Sequence, residues 1–192
     1  MLIGGRSRRM GGPKALLRLA PGEPTLLELV AGAMSEVASD VTLVGRASWP
    51  IPESLAGLHR VRDEGNGAAD GVVAALRASR FDECLVVGCD MPFLNVALLR
   101  EMGTLSKSEG RGVIVSESAG LHPLHAVYRR KNLARIESVV ATGERSLVAI
   151  VQALGMAAID LDVPERDSAV RWSVFNVNTP EDLETARAHA GV

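Results

Sequence analysis

Short apolar, often β-branched runs alternate with amphipathic stretches along the chain, and this alternation restricts the fold more than any other feature of the sequence. Behind Pro24 and Thr25, the residues Leu26, Leu29, Val30, Ala33, Met34 and Val37 recur at three- and four-residue steps, which predicts an amphipathic helix over 25–40. Residues 41–44, closing at Gly45, then read as a strand buried on both faces. The pattern repeats with a strand at 58–61, a helix at 68–78, a strand at 84–88, a helix at 96–105 and a strand at 113–115. Further on, 124–128 reads as a strand running into a helix, 146–154 as a helix, and 156–161 and 172–177 as two short strands. Thr179-Pro180-Glu181-Asp182 opens a last helix, with a capping hydroxyl, proline in the first turn and acids where the helix dipole favours them. Alternation of this kind predicts an α/β, Rossmann-like fold with a mixed, mainly parallel sheet and helices on both faces. The polar loop 163–171 is the expected mobile segment.

A length of 192 residues suits a single domain over 1–192. Lys and Arg total 21 against 23 Asp and Glu, and aromatic residues are 3%, a balance that speaks against a nucleic-acid partner. No run approaches the ~18 to 20 apolar residues needed to cross a bilayer, and Arg6, Arg8 and Arg9 come before any apolar signal-peptide core. No membrane partner is expected. Cys84 and Cys89 form neither a zinc spacing nor a disulfide framework, which fits a reducing, cytoplasmic compartment. Only Met1, Leu2 and Ile3 precede the first glycine pair, so a strand there is unusually short.

Ligands of open parallel sheets bind outside the carboxyl ends of the strands, which directs attention to three loops. Residues 4–14 combine Gly4, Gly5, Gly11 and Gly12 with Arg6, Arg8, Arg9 and Lys14. Glycines let backbone N–H groups approach an anion, and Arg9 and Lys14 can neutralise phosphate oxygens, so this is a candidate phosphate cradle. It is not a Walker A loop, since Pro13 precedes Lys14 and Ala15 follows it. The bland alternative is a solvated basic arm. In the second loop, Cys89-Asp90-Met91-Pro92 places one carboxylate at the tip of an apolar strand, where a hard oxygen ligand can hold Mg²⁺ against a triphosphate. The competing role for Asp90 is to cap the turn before Pro92. In the third, Asp63 follows a strand and precedes Gly65, Gly67 and Gly71, placed to accept hydrogen bonds from a base or ribose, or to sit in an ordinary solvated turn.

The same glycines imitate a dinucleotide-binding fingerprint, which would make the chain an oxidoreductase. Asp63 and Glu64 would then crowd a pyrophosphate with negative charge, and the cationic first loop would have no role. His122-x-x-His125 reads as strand packing with a polar tip rather than a zinc pair, because no third ligand lies nearby in sequence.

Together the loops resemble the molybdenum cofactor guanylyltransferase family, within the nucleotide-diphospho-sugar transferase type of fold. Leu2, Gly4, Gly5, Ser7, Arg9, Met10, Gly11 and Lys14 match that family's opening signature. Cys89-Asp90-Met91-Pro92-Phe93-Leu94 resembles its metal-binding strand end. Asn176-Val177-Asn178-Thr179-Pro180-Glu181-Asp182-Leu183 is similar to its C-terminal segment, and His122-Pro123 with 126–130 to a further block.

The resemblance implies transfer of GMP from Mg·GTP to the phosphate of molybdopterin, releasing pyrophosphate, with the finished cofactor passing to cofactor-biosynthesis proteins or recipient molybdoenzymes. It implies a nucleotide side formed by Leu2, Ile3, Gly4, Gly5, Lys14, Asp63 and Asp90, with Asp90 holding Mg²⁺. Arg9, Lys14 and Asp90 would be the catalytic groups, and Asn176 and Asn178 the pterin side. Three features depart from the pattern: the short first strand, Asp70 where a small neutral residue is usual, and Pro13 before Lys14, as in cytidylyltransferase relatives acting on the same pterin. The alternatives are therefore a cytidylyltransferase, a nucleotidyltransferase for another small phosphate acceptor, and an idle nucleotide-binding homologue.

Overall fold

Thr25 starts the first long helix by local chemistry. Its hydroxyl accepts from Glu28 N (3.2 Å), while the Glu28 carboxylate accepts from Thr25 N (2.7 Å), a reciprocal capping box that satisfies two orphan donors. Helix α1 (Leu26–Ser35) then buries Leu26, Leu27, Val30, Ala31 and Met34. The computed structural model describes residues 1–4, 13–63 and 67–192.

Among the described residues the strands are β1 (Leu2–Ile3), β2 (Thr42–Gly45), β3 (His59–Arg62), β4 (Glu83–Val87), β5 (Val113–Glu117), β6 (Gly120–Arg129) and β7 (Ala157–Asp160). β1, β2 and β3 form a parallel sheet, and β4, β6, β5 and β7 lie side by side in a second, mixed sheet. A parallel bridge between Leu2 and Gly88 joins the two, and Cys89 N donates to Leu2 O at 3.1 Å. As the sequence predicts, the first strand is very short; both of its residues are buried.

Helices α2 (Ala68–Ala78), α3 (Val96–Glu109), α4 (Leu133–Ala141), α5 (Leu147–Leu154), α6 (Ser168–Arg171) and α7 (Pro180–Ala190) complete the architecture. One apolar cluster packs α1 and α3 against Ile3, Leu43, Val87, Val113, Val115 and Ile159. A second packs α2, α4 and α5 against Leu2, Val44, Val86, Ile114 and Ala126, so the sheet residues alternate between two helical layers as their period of two requires. α7 docks through Leu183 and Ala186 on Leu19, Leu26 and Val177.

Three local expectations are corrected. Residues 172–177 do not form a strand: Trp172–Val174 is a single 3-10 turn that follows α6 directly, and the chain is extended only from Phe175. α6 itself lies inside the loop 163–171, which Arg166 ties down through two bonds to Glu101, at 2.6 and 2.7 Å. β6 begins earlier than 124 and runs antiparallel to both β4 and β5, because a tight turn after Glu117 sends the chain straight back. Its register slips between Ile114 and Val115, where partner residues jump from Ala126 to His122. Pro123 sits in that slip; lacking an N–H, proline suits a bulge better than a regular ladder.

Candidate active site

The carboxyl ends of β1, β2, β3 and β4 converge on a cavity of about 510 Å³. Leu2, Ile3 and Gly4 enter it from β1, Asp63 from the end of β3, and Gly88, Cys89 and Asp90 from the end of β4. Gly67, Ala68 and Gly71 bring in the amino end of α2, and Leu124 adds a wall from β6. A cavity at the carboxyl ends of parallel strands is the site this topology favours.

Two glycines of this lining are closely approached by side chains. A Cβ on Gly88 would come within 2.6 Å of Asp90 Oδ1, so the bare backbone leaves room for the carboxylate to fold back over the strand end. A Cβ on Gly71 would meet the Leu2 methyls at 3.2 and 3.3 Å, which sets how closely α2 approaches β1.

At the rim, Lys14 follows Pro13 into a short 3-10 turn and extends its ammonium to Asp90 Oδ2 (3.3 Å) and Asn178 Oδ1 (2.5 Å). Both side chains of the Lys14–Asp90 pair are mostly buried, 17% and 21% exposed, so their attraction is less screened than that of a surface pair. The segment carrying Asn178 is itself tied to the strand end, because Val177 N donates to Asp90 O at 2.9 Å. Thr179 and Asp182 then form a second capping box that starts α7 just beyond Asn178. Lys14, Asp90 and Asn178, far apart in sequence, therefore form one cluster beside the cavity.

Asn176 is not part of that cluster. Its Nδ2 donates to Val174 O (2.8 Å), and it lines a neighbouring depression with Glu117 and His122. Arg9 and Gly5 lie outside the described residues. Arg46 and Trp49, after β2, also line the cavity at the strand ends. Sequence reasoning passed them over, although a basic residue directly after a strand-closing glycine is a readable signal.

Burial takes Cys89 and His125 out of proton and nucleophile chemistry. Burial, reinforced by the Asp90 charge, pushes the Cys89 thiol up to about 12, so it stays neutral and is no nucleophile. Burial, with the nearby His122 adding to it, lowers His125 from 6.5 to about 4; its Nε2 pairs with Ser173 Oγ at 2.8 Å. His122 Nε2 pairs instead with Glu117 Oε1 at 2.9 Å, so the two histidines do not act as a metal pair. Among the described residues no group of three or more His, Cys, Asp or Glu gathers around a common point.

A carboxylate at the edge of a cavity, with a lysine against it and no activated nucleophile beside it among the described residues, is equipped to position and neutralise a phosphate chain. The comparisons with known proteins point the same way. A family model described as the MobA-like NTP transferase domain matches residues 1–158. The chain belongs to that family. A protein of Pelotomaculum thermopropionicum named "probable molybdenum cofactor guanylyltransferase" is 35% identical over 99% of this chain and 91% of its own length. A Chloroflexus aggregans protein of the same name is 34% identical over 100% and 93%. The crystal structure of molybdopterin-guanine dinucleotide biosynthesis protein A from Archaeoglobus fulgidus superposes with a TM-score of 0.80 at 26% identity, covering 99% and 96% of the two chains. This MobA-like chain is a nucleotidyltransferase with the fold expected from its sequence.

Proposed function

We propose that the chain transfers GMP from Mg·GTP to the terminal phosphate of molybdopterin, releasing pyrophosphate and yielding the guanine dinucleotide form of the cofactor. The observation that carries this reading is the Lys14–Asp90–Asn178 cluster at the mouth of a cavity built from four strand ends. Leu2, Ile3, Gly4 and Asp63 line the space for guanine and ribose; Lys14 neutralises phosphate oxygens and holds the donor in line with the acceptor. Gly5 and Arg9 join the phosphate side by resemblance to the family signature. Asn178 stands on the acceptor side of Lys14.

Asp90 fits Mg²⁺, which takes one or two carboxylates plus phosphate oxygens rather than an all-protein cage, and its room beside Gly88 suits that use. When bound, Mg²⁺ would offset the charge that builds on the departing pyrophosphate. Two side chains here could in principle act as nucleophiles, the Cys89 thiol and the Lys14 amine, and neither suits covalent work: Cys89 is neutral and Lys14 is paired with Asp90. Transfer is therefore direct between the two phosphates.

The domain spans 1–192, and the reaction takes place in the cytoplasm, in keeping with free Cys84 and Cys89. Among the described residues no helix is long and apolar enough to cross a membrane. The product passes to cofactor-biosynthesis proteins or recipient molybdoenzymes. Incubation with Mg²⁺, GTP and molybdopterin, followed by chromatography of the products, tests the proposal: pyrophosphate and the guanine dinucleotide should appear together. Product with CTP and none with GTP would reassign the donor, and no product with either would reject the activity.

A further inference from the structure

His125 lies on β6 opposite Val87, the last residue of β4, and its ring is completely buried. One ring nitrogen, Nδ1, has no hydrogen-bond partner among the described residues; the other, Nε2, lies 2.8 Å from Ser173 Oγ. An imidazole buried with one nitrogen unmatched costs stability that an apolar side chain at 125 would not. What the polar ring adds is the bond to Ser173.

Ser173 is buried as well, in the 3-10 turn Trp172–Val174, and its hydroxyl accepts from Asn95 N at 2.9 Å. The hydroxyl has one proton to place, and His125 Nε2 is the acceptor it meets, so Oγ donates to Nε2 and the ring keeps its own proton on Nδ1. Burial holds the ring neutral, which leaves Nε2 free to accept. Asn95 caps α3, its Oδ1 accepting from Leu98 N at 3.0 Å, and closes the loop that starts at Asp90. At the other end of that loop, Val177 N donates to Asp90 O at 2.9 Å. The segment 173–177 is thus stitched to loop 90–95 at both ends, and His125 fastens the stitched pair to β6. Asn178, the next residue, meets Lys14 at 2.5 Å.

We infer that His125 is a positioning residue of this active site: through the Ser173 hydroxyl it fixes loop 90–95 and segment 173–178 on the sheet, and so sets where the Asp90 carboxylate and the Asn178 amide stand against Lys14. It touches no substrate. Removing the bond leaves the side chains of the cluster in place and loosens the backbone that carries two of them. A misplacement of about 1 Å in a catalytic group can cost about a hundredfold in rate, so the loss falls on turnover rather than on GTP binding.

The test uses the full chain with His125→Leu, Ser173→Ala, the two combined, and His125→Gln, whose terminal amide can put an oxygen where Nε2 stands. The turnover measurement rests on the proposed transfer to molybdopterin. His125→Leu and Ser173→Ala should each lower kcat about tenfold or more, while KM for GTP moves less than about twofold. The combined variant should be no slower than the slower single one, as expected for groups that act as a unit, and His125→Gln should recover most of the loss. Full kcat in His125→Leu, multiplied losses in the combined variant, or equal losses with Leu and Gln overturns the assignment. Amide hydrogen exchange needs no turnover: His125→Leu should speed exchange at Asn95 and Val177 about tenfold or more, while amides in the middle of α1 keep the rates of the unaltered chain. Unchanged exchange at both amides overturns the inference. That exchange pattern without any transfer would reject the proposed activity and support the tie from His125 to the Asp90 loop.

Discussion

The Lys14 ammonium and the Asp90 carboxylate lie 3.3 Å apart although 76 residues separate them in the chain. Replacing Asp90 by Asn keeps the shape and removes the charge. Metal-dependent turnover should fall by at least about a hundredfold, a loss typical of a group that stabilises charge in the transition state. Thermal stability should change by no more than about 1 kcal/mol, because Lys14 retains Asn178 as a partner. Turnover against magnesium concentration, with a melting curve, checks both; unaltered turnover removes Asp90 from the metal role.

Gly88→Ala separates positioning from charge. The added methyl would lie 2.6 Å from Asp90 Oδ1 and displace the carboxylate. Activity should drop at least tenfold while Asp90 remains present, and a full-rate variant would show that the carboxylate's placement is unimportant.

Much of this site was readable before any fold was known, for an identifiable reason. Strand ends, glycines and a cation mark themselves locally, so Gly4, Lys14, Asp63 and Asp90 could each be singled out from short range, while Leu2 entered through the family resemblance. The helix at 68–78 and both threonine caps, at Thr25 and Thr179, likewise depend on neighbours within one turn. Residues 172–177 misled because an apolar, aromatic-rich stretch has strand propensity. Here Ser173 is buried against His125 and Asn95, and tertiary bonds fix a 3-10 turn instead. The depression at Glu117 and Arg171 was invisible for the same reason: its residues meet only after β6 turns back beside β5.

Gly45→Ala should damage the fold more than Gly71→Ala. A Cβ on Gly45 would run into the Ile3 carbonyl of β1, a backbone atom that cannot swing aside. A Cβ on Gly71 meets only flexible Leu2 methyls, at 3.2 and 3.3 Å. Losses of about 2 kcal/mol or more against about 1 kcal/mol or less are expected, and denaturant midpoints rank the two.

His125 makes stability sensitive to acid. Burial keeps it neutral in the folded chain down to about pH 4, whereas the unfolded chain takes up its proton near 6.5. Between those values the unfolded state binds the extra proton. Stability contributed by the neutral ring is therefore complete above about pH 6.5 and falls as pH drops toward 4, by up to ~3 kcal/mol. Urea midpoints measured across that window should fall with pH, and His125→Asn should flatten the trend; parallel slopes would assign the effect to other groups.

Thr179→Ala removes the hydroxyl that accepts from Asp182 N at 3.2 Å and starts α7. A cost of about 1 kcal/mol is expected, lowering Tm by roughly 2–4 °C in a chain of this size. Differential scanning calorimetry measures it, and an unshifted Tm would show that α7 is held by its packing alone.

Because β6 runs against β4 and β5, its opening residues rather than its closing ones reach the ligand end of the sheet. The wall that Leu124 adds to the cavity thus comes from a strand opposed in direction to the four whose tips build the rest. Evolution, or an engineer, can rewrite the hairpin between β5 and β6 without disturbing the strand tips that carry Gly4, Asp63 and Asp90.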